Sequence, residues 1–274
     1  MTDLTRFLLA IRAACASAGV PPWTLCQALA LAAGWACLRP VRGSRWRGFA
    51  SGTFGALLGA FLLGPCMLLP QAASGAASWS SLLELRVTAY GALGGFALGA
   101  VLTARKSGTT PWKLLDQLAP AFGVFVAFGR LGCFLAGCDF GRTTSTGFAV
   151  EYPPATAAHF YHVHSGFVAA GAPSSLPVHP VQLYEALVGA LMLAAALLLG
   201  TSRTPAGLRF WCVACMYAAG RFFTDLLRAD LPRLSVVPSV SFTQSQCISL
   251  IVLASAAAIW AGRACDFSAA LARR

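Results

Sequence analysis

Residues 114–137, LLDQLAPAFGVFVAFGRLGCFLAG, make one apolar run long enough to cross a bilayer, yet Arg130 sits near its far end. A hydrocarbon core of about 30 Å takes about 20 residues of helix. The run reads as a transmembrane helix, and six further segments share its character: 23–38, 48–69, 82–104, 181–200, 207–227 and 247–262. Of the 274 residues, 57% are hydrophobic and only 11% charged, which sets the chain apart from ordinary soluble domains. The expected fold is therefore all-α: one polytopic membrane domain over 1–274 with about seven transmembrane helices.

The formal charge of +11 comes mostly from arginines scattered in short clusters between apolar runs. That pattern points to a lipid bilayer as partner and to no nucleic acid, which would call for a contiguous basic face. Basic residues gather in alternate loops: Arg39, Arg42, Arg45 and Arg47, then Arg105, Lys106 and Lys113, then Arg203 and Arg209, then Arg263, Arg273 and Arg274. The opposite side carries fewer, namely Arg6, Arg12, Arg86, Arg142, Arg228 and Arg233. The positive-inside rule then puts the N-terminus outside and the C-terminus in the cytoplasm. Residues 1–20 are interrupted by Arg12 and weakened as a leader by Asp3, so they read as a retained amphipathic segment on the membrane surface.

The longest connection, residues 138–180, falls outside and holds all four histidines, His159, His162, His164 and His179. A metal held by His159, His162, His164 and Asp139 lacks a convincing ligand set, so no metal or other cofactor is expected and the imidazoles are read as solvated. Most cysteines, including Cys26, Cys37, Cys66, Cys212, Cys215 and Cys247, lie in apolar runs and read as small hydrophobes. Glycines in SGTFGALLGA (51–60) and YGALGGFALGA (90–100) have the spacing that lets helices approach closely in lipid. No strand precedes 91–95, which argues against a nucleotide loop.

Arg130 and Arg221 are the basic residues left inside spans once the loops are assigned. An intramembrane arginine costs about 2.5–3.5 kcal/mol on insertion scales and needs compensation. Snorkelling to the interface would compensate each singly. Convergence of both on one anion is the sharper reading, and a lipid phosphate suits the planar guanidinium fork. Asp225 and Arg228 follow Arg221 on nearly one helical face. Gln182, Tyr184 and Glu185 put polar groups into the first turns of the span that begins after Pro180.

Three stretches together resemble the bacterial prolipoprotein diacylglyceryl transferase family. GRLGCFLAGCDFGR (129–142) resembles its G-R-x-G-N-F-x-N-G-E-x-x-G-R signature, HPVQLYEAL (179–187) its H-P-x-Q-L-Y-E element, and GRFFTDLLRAD (220–230) its R-F-x-x-E-x-x-R segment. The resemblance implies a multi-pass enzyme of the bacterial plasma (inner) membrane. Such an enzyme moves diacylglyceryl from phosphatidylglycerol, or a related anionic phospholipid, to the lipobox cysteine of a prolipoprotein signal peptide and releases glycerol 1-phosphate. It implies catalytic roles for Arg130, Arg221, Tyr90, Glu185 and Asp225. Lipid binding would fall to the two arginines with Gly129, Gly132, Cys133, Cys138, Gly141, Arg142, His179, Gln182, Tyr184 and Arg228.

The chain also departs from that pattern. Tyr90 stands where the family has histidine, Cys133 and Ala136 replace two asparagines, Cys138 replaces glutamate, and Asp225 replaces glutamate. A tyrosine with a pKa of about 10 is a weak base near neutrality. The substitutions keep open a diverged member with another acceptor, or a non-catalytic phospholipid-binding membrane protein. For Cys133 and Cys138 the expected role is inert packing, with an activated nucleophile as one alternative and a disulfide as another. In an intact helix residues five apart do not share a face, so pairing would need a break near Gly137.

Overall fold

The computed structural model describes residues 2–38, 44–73, 88–200, 204–229, 231, 234–237 and 240–272. Arg39, Arg42, Arg86, Arg203, Arg233, Arg273 and Arg274, used above to orient the chain, lie outside these residues, as do positions 82–87 of the third expected span. Within them the helices are α1 (Asp3–Ser17), α2 (Pro22–Leu38), α3 (Ser44–Ala73), α4 (Ala89–Lys106), α5 (Pro111–Ala136), α6 (Ala157–His164), α7 (Val181–Leu199), α8 (Leu208–Thr224) and α9 (Gln244–Ala272). A small antiparallel pair, β1 (Leu234–Val237) and β2 (Val240–Phe242), precedes α9. Each expected span overlaps a helix over the residues described, although α8 ends at Thr224, short of the expected 227.

By length and composition, three helices among the described residues can cross a membrane: α5, α7 and the 244–262 part of α9. A fourth span arises if α1 and α2, bent by 88° at their junction, count as one. The chain divides into two compact units, one of residues 1–33, 123–193 and 214–274, the other of 34–122 and 194–213.

In the second unit the glycine stripes do what their spacing implies. A Cβ on Gly55 would collide with the Gly95 carbonyl, one on Gly59 with that of Gly91, and one on Gly99 with that of Ser51. The α3 and α4 backbones therefore touch directly, as small-residue spacings allow. Ser51 joins the same seam, its Oγ donating to Gly99 O at 3.0 Å and pairing with Thr103 Oγ1 at 2.5 Å. Phe96 then stands edge-on to Phe49 and Phe122.

This unit also corrects the placement of Arg209 in a loop. Arg209 lies in the first turn of α8, is 7% exposed, and donates to the carbonyls of Ala196 and of Asp116, the latter at 3.1 Å. Asp116, itself buried, accepts from Gly207 N at 2.6 Å and Phe210 N at 2.8 Å. Those amides belong to the start of α8, where helical N–H groups lack intrahelical partners, so a carboxylate from α5 caps α8.

In the first unit α5 and α7 meet at Gly123 and Gly189, whose absent side chains leave room for the facing backbones at Leu193 and Ala127. α8 meets α7 at Gly220, where a Cβ would come within 2.8 Å of Val188. Below the end of α5, Leu8, Phe134, Phe140, Val150, Tyr152 and Val178 form a buried cluster. α1 is tied to this cluster's loop: Thr2 Oγ1 donates to Ala149 O at 2.6 Å, and Glu151 N donates to Thr5 Oγ1 at 3.0 Å.

The histidine-bearing connection is more ordered than a solvated loop. Thr156 caps α6, accepting from His159 N at 3.4 Å. His159 and His162 are buried, contrary to expectation, because α6 turns them onto the rest of the connection. His159 Nε2 meets Ala172 O at 2.9 Å, and His162 Nδ1 accepts from Leu176 N at 3.2 Å. Burial, reinforced by His159, pushes the His162 imidazole below its ordinary range and keeps it neutral.

Candidate active site

Six charged side chains of the first unit form one unbroken series. Arg228 Nη2 meets Asp139 Oδ1 at 2.6 Å, and Arg130 Nη1 meets Asp139 Oδ2 at 2.8 Å. The Arg130 Nε then meets Glu185 Oε2 at 2.5 Å, while Arg221 pairs with the other oxygen of the same carboxylate. Arg221 Nη2 finally reaches Asp225 Oδ1 at 3.1 Å. Three guanidiniums thus alternate with three carboxylates, and each inner member bridges two partners.

Different elements deliver these groups. Arg130 comes from the last two turns of α5, Glu185 from the second turn of α7, Arg221 from the last turn of α8, and Asp225 and Arg228 from the turn that follows it. Hydroxyls close the series: Thr224 Oγ1 donates to Glu185 at 3.0 Å, Thr243 Oγ1 to Asp225 Oδ2 at 2.6 Å, and Arg221 reaches Ser245 Oγ at 3.4 Å. Tyr217, buried on α8, lies beside Arg130 and Arg221.

Burial is uneven along the series. Asp225 and Glu185 are essentially enclosed, whereas the Asp139 side chain is 30% exposed, the most open of the six. Partial burial alone would push the Asp139 carboxyl up, but Arg228 and then Arg130 outweigh it and hold the group well below the usual carboxylate range.

The backbone around Asp139 is special. Gly137, at φ 77°, ends α5 in the left-handed region, and Asp139 itself sits at φ 57°. Gln182 Nε2 donates to Cys138 O at 2.6 Å, and Gly141 N donates to His179 O at 3.1 Å. A Cβ on Gly141 would lie 2.7 Å from His179 and Val181, so only glycine lets this strand lie so close to the start of α7. Arg142 N donates to Leu227 O at 2.7 Å, which lashes the turn to the segment carrying Arg228.

A family model described as prolipoprotein diacylglyceryl transferase matches residues 48–261. The chain belongs to this family. It is 31% identical to a phosphatidylglycerol-prolipoprotein diacylglyceryl transferase of Clostridium tetani over 164 residues, which cover 60% of this chain and 59% of that protein. A second such transferase of Clostridium perfringens is 30% identical over 164 residues, 60% of this chain and 57% of its own length. One from Sinorhizobium medicae is 32% identical over 143 residues, 51% of this chain and 45% of its own. The chain thus spans about three fifths of the length of the clostridial relatives it matches.

Of the residues singled out by resemblance to the transferase family, Arg130, Arg221, Glu185, Asp225 and Arg228 come together in the charge series. Gln182 and His179 support the turn behind it, and His179 Nδ1 lies 3.4 Å from Tyr184 Oη. Arg142 contributes its backbone while its side chain is exposed. Gly132 faces α2, where a Cβ would lie 3.1 Å from Cys26, and Gly129 precedes Arg130 within α5. Tyr90 lies in the first turn of α4, in the second unit.

α5 breaks at the point that pairing of Cys133 with Cys138 would require. α5 ends at Ala136, and Cys138 Sγ turns back to Cys133 O at 3.8 Å. The sulfurs and one Asp139 oxygen all lie within 4.8 Å of one another. Sequence reasoning did not single out Asp139 beyond a metal reading, nor Tyr217, Thr224, Thr243 and Ser245. One signal was present: Thr243-x-x-Gln246 is a capping box, with Gln246 N donating to Thr243 Oγ1 at 3.0 Å and Thr243 N to Gln246 Oε1 at 2.9 Å.

Proposed function

We propose that this chain is a phospholipid-dependent diacylglyceryl transferase. It takes the diacylglyceryl group of phosphatidylglycerol, transfers it to the lipobox cysteine of a prolipoprotein, and releases glycerol 1-phosphate. The observation that carries the reading is the convergence of Arg130 and Arg221 on one carboxylate, Glu185, which brings two intramembrane cations to a single place. In this reading the lipid phosphate enters at the exposed end, displaces Asp139 from Arg130 and Arg228, and is held by the planar donor forks of Arg130 and Arg221 with Arg228 beside them. The acceptor thiolate attacks the glyceryl carbon, a C–S bond forms as the C–O bond to phosphate breaks, and the arginines stabilise the charge gathering on the departing phosphate.

Glu185 and Asp225 hold the arginines in register, and either of these carboxylates, or Tyr90, which stands where the family has histidine, handles the proton lost by the thiol. Family membership and the names of the relatives support the reading. The same reading places the chain in the bacterial inner membrane as one seven-span domain with its N-terminus outside, its C-terminus in the cytoplasm and residues 138–180 extracytoplasmic.

The test is transfer of labelled diacylglycerol from phosphatidylglycerol to a lipobox peptide by the purified chain. Arg130→Ala and Arg221→Ala are each expected to lower the rate by about a hundredfold or more, the scale for losing one preorganised charge donor. Activity unchanged in both variants would sink the mechanism. Lipid binding without transfer in the unsubstituted chain would instead point to a phospholipid-binding protein.

A further inference from the structure

The two thiols beside Arg130 and Asp139 are placed by the way α5 ends. Gly137 N and Cys138 N both donate to Cys133 O, at 2.9 and 3.2 Å, around the left-handed Gly137. In such a cap the second residue past the helix folds over the third from its end, which is why these cysteines meet despite their spacing. Both are free thiols, and both are only partly buried. Cys138 adjoins Asp139, whose carboxylate binds Arg130 and Arg228.

We propose that Cys133 and Cys138 form a dithiol-disulfide couple whose oxidation draws Asp139 away from Arg130 and Arg228 and so strengthens the hold of the arginines on their anionic ligand. With a small-molecule disulfide as oxidant, the Cys138 thiolate displaces one thiol from it and forms a mixed disulfide. The Cys133 thiolate then attacks the Cys138 sulfur and releases the second thiol. Two S–H bonds are lost, one S–S bond forms, and the oxidant takes up two electrons and two protons. The new bond, about 2.05 Å long, is shorter than any non-bonded sulfur contact, so Cys138 is drawn toward Cys133 and the residue after it follows.

The same donors suit a soft cation on distance alone. Both Asp139 oxygens are already engaged by guanidiniums, however, and a cation would have to displace them. The geometry favours the disulfide. The effect on lipid rests on the proposed function; the couple itself does not.

The experiment treats the purified full chain with glutathione disulfide or with dithiothreitol, then maps thiols by alkylation and peptide mass. Oxidation should remove two hydrogens from the peptide holding Cys133 and Cys138 and block both from alkylation until reductant is added. Binding to phosphatidylglycerol vesicles should tighten about fivefold or more on oxidation and relax again on reduction. In Cys138→Ser and Cys133→Ser the ratio of oxidised to reduced affinity should be one, whatever the absolute affinity. Thiols that stay open to alkylation at saturating oxidant overturn the couple, and a bond that forms without changing lipid affinity overturns its effect. A reduced chain that fails to bind the vesicles overturns that effect together with the proposed function, while the mass readout still decides the couple.

Discussion

Both units of the chain bury charges, but they satisfy them differently. In the second, Asp116 and Arg209 face peptide groups: the carboxylate caps the start of α8 and the guanidinium donates to carbonyls. In the first, arginines and carboxylates face one another from Arg228 through to Asp225. A peptide group is fixed in the backbone and cannot be exchanged for a ligand. A carboxylate partner can be replaced by another anion of similar shape, so the second arrangement locks a helix whereas the first can exchange partners.

The strongest challenge to this contrast is Glu185→Ala, which leaves Arg130 and Arg221 without their shared carboxylate. The expected loss of stability is about 3–5 kcal/mol, read as the shift in a denaturation midpoint in detergent. A shift of less than a third of that would mean that the series is not coupled. Asp116→Ala should be milder, about 1–3 kcal/mol, because it strands backbone N–H groups without unpairing a series of ions. Lipid affinity of its folded fraction should stay the same, and an altered affinity would erase the distinction between the units.

Gly95→Ala sharpens the comparison from the packing side. Its new methyl meets the Gly55 carbonyl, and separating α3 from α4 should cost about 1–3 kcal/mol, while Gly94→Ala, which faces open space, should fall within about 0.5 kcal/mol. Equal effects would mean that the seam is not close-packed. The smallest effect concerns pH. His162 is held neutral, so its contribution is present above its unfolded pKa of about 6.5 and is lost as pH falls toward the lower folded value. Hydrogen exchange at the Leu176 amide, corrected for intrinsic rate, should speed up between pH 7 and 5 in the unsubstituted chain and lose that pH dependence in His162→Gln.

What could be read in the sequence divides along the same line. The glycine seam of α3 and α4 was legible because its spacing is a local, periodic signal. Arg130 and Arg221 were legible because a cation in an apolar run demands a partner. Asp139 was not, since it follows a left-handed turn at Gly137 beyond which helical spacing says nothing about direction. The approach of Cys133 and Cys138 hangs on the same turn, whose presence helical spacing alone does not decide. Arg209 and Asp116 satisfy each other's neighbourhoods through backbone groups 91 to 94 positions away along the chain, and no local pattern marks such pairings.

The start of α9 has a temporal consequence. Thr243 holds Asp225, Ser245 meets Arg221, and Gln246 Nε2 grips Phe222 O at 3.1 Å, so the end of α8 is completed by residues made about 20 positions later. As the ribosome delivers the chain, Arg221 and Asp225 must wait for α9 before their surroundings close. A nascent chain halted before Thr243 would carry the six charges without Thr243 against Asp225 or Ser245 against Arg221, so the surroundings of those two groups close only once the start of α9 has emerged.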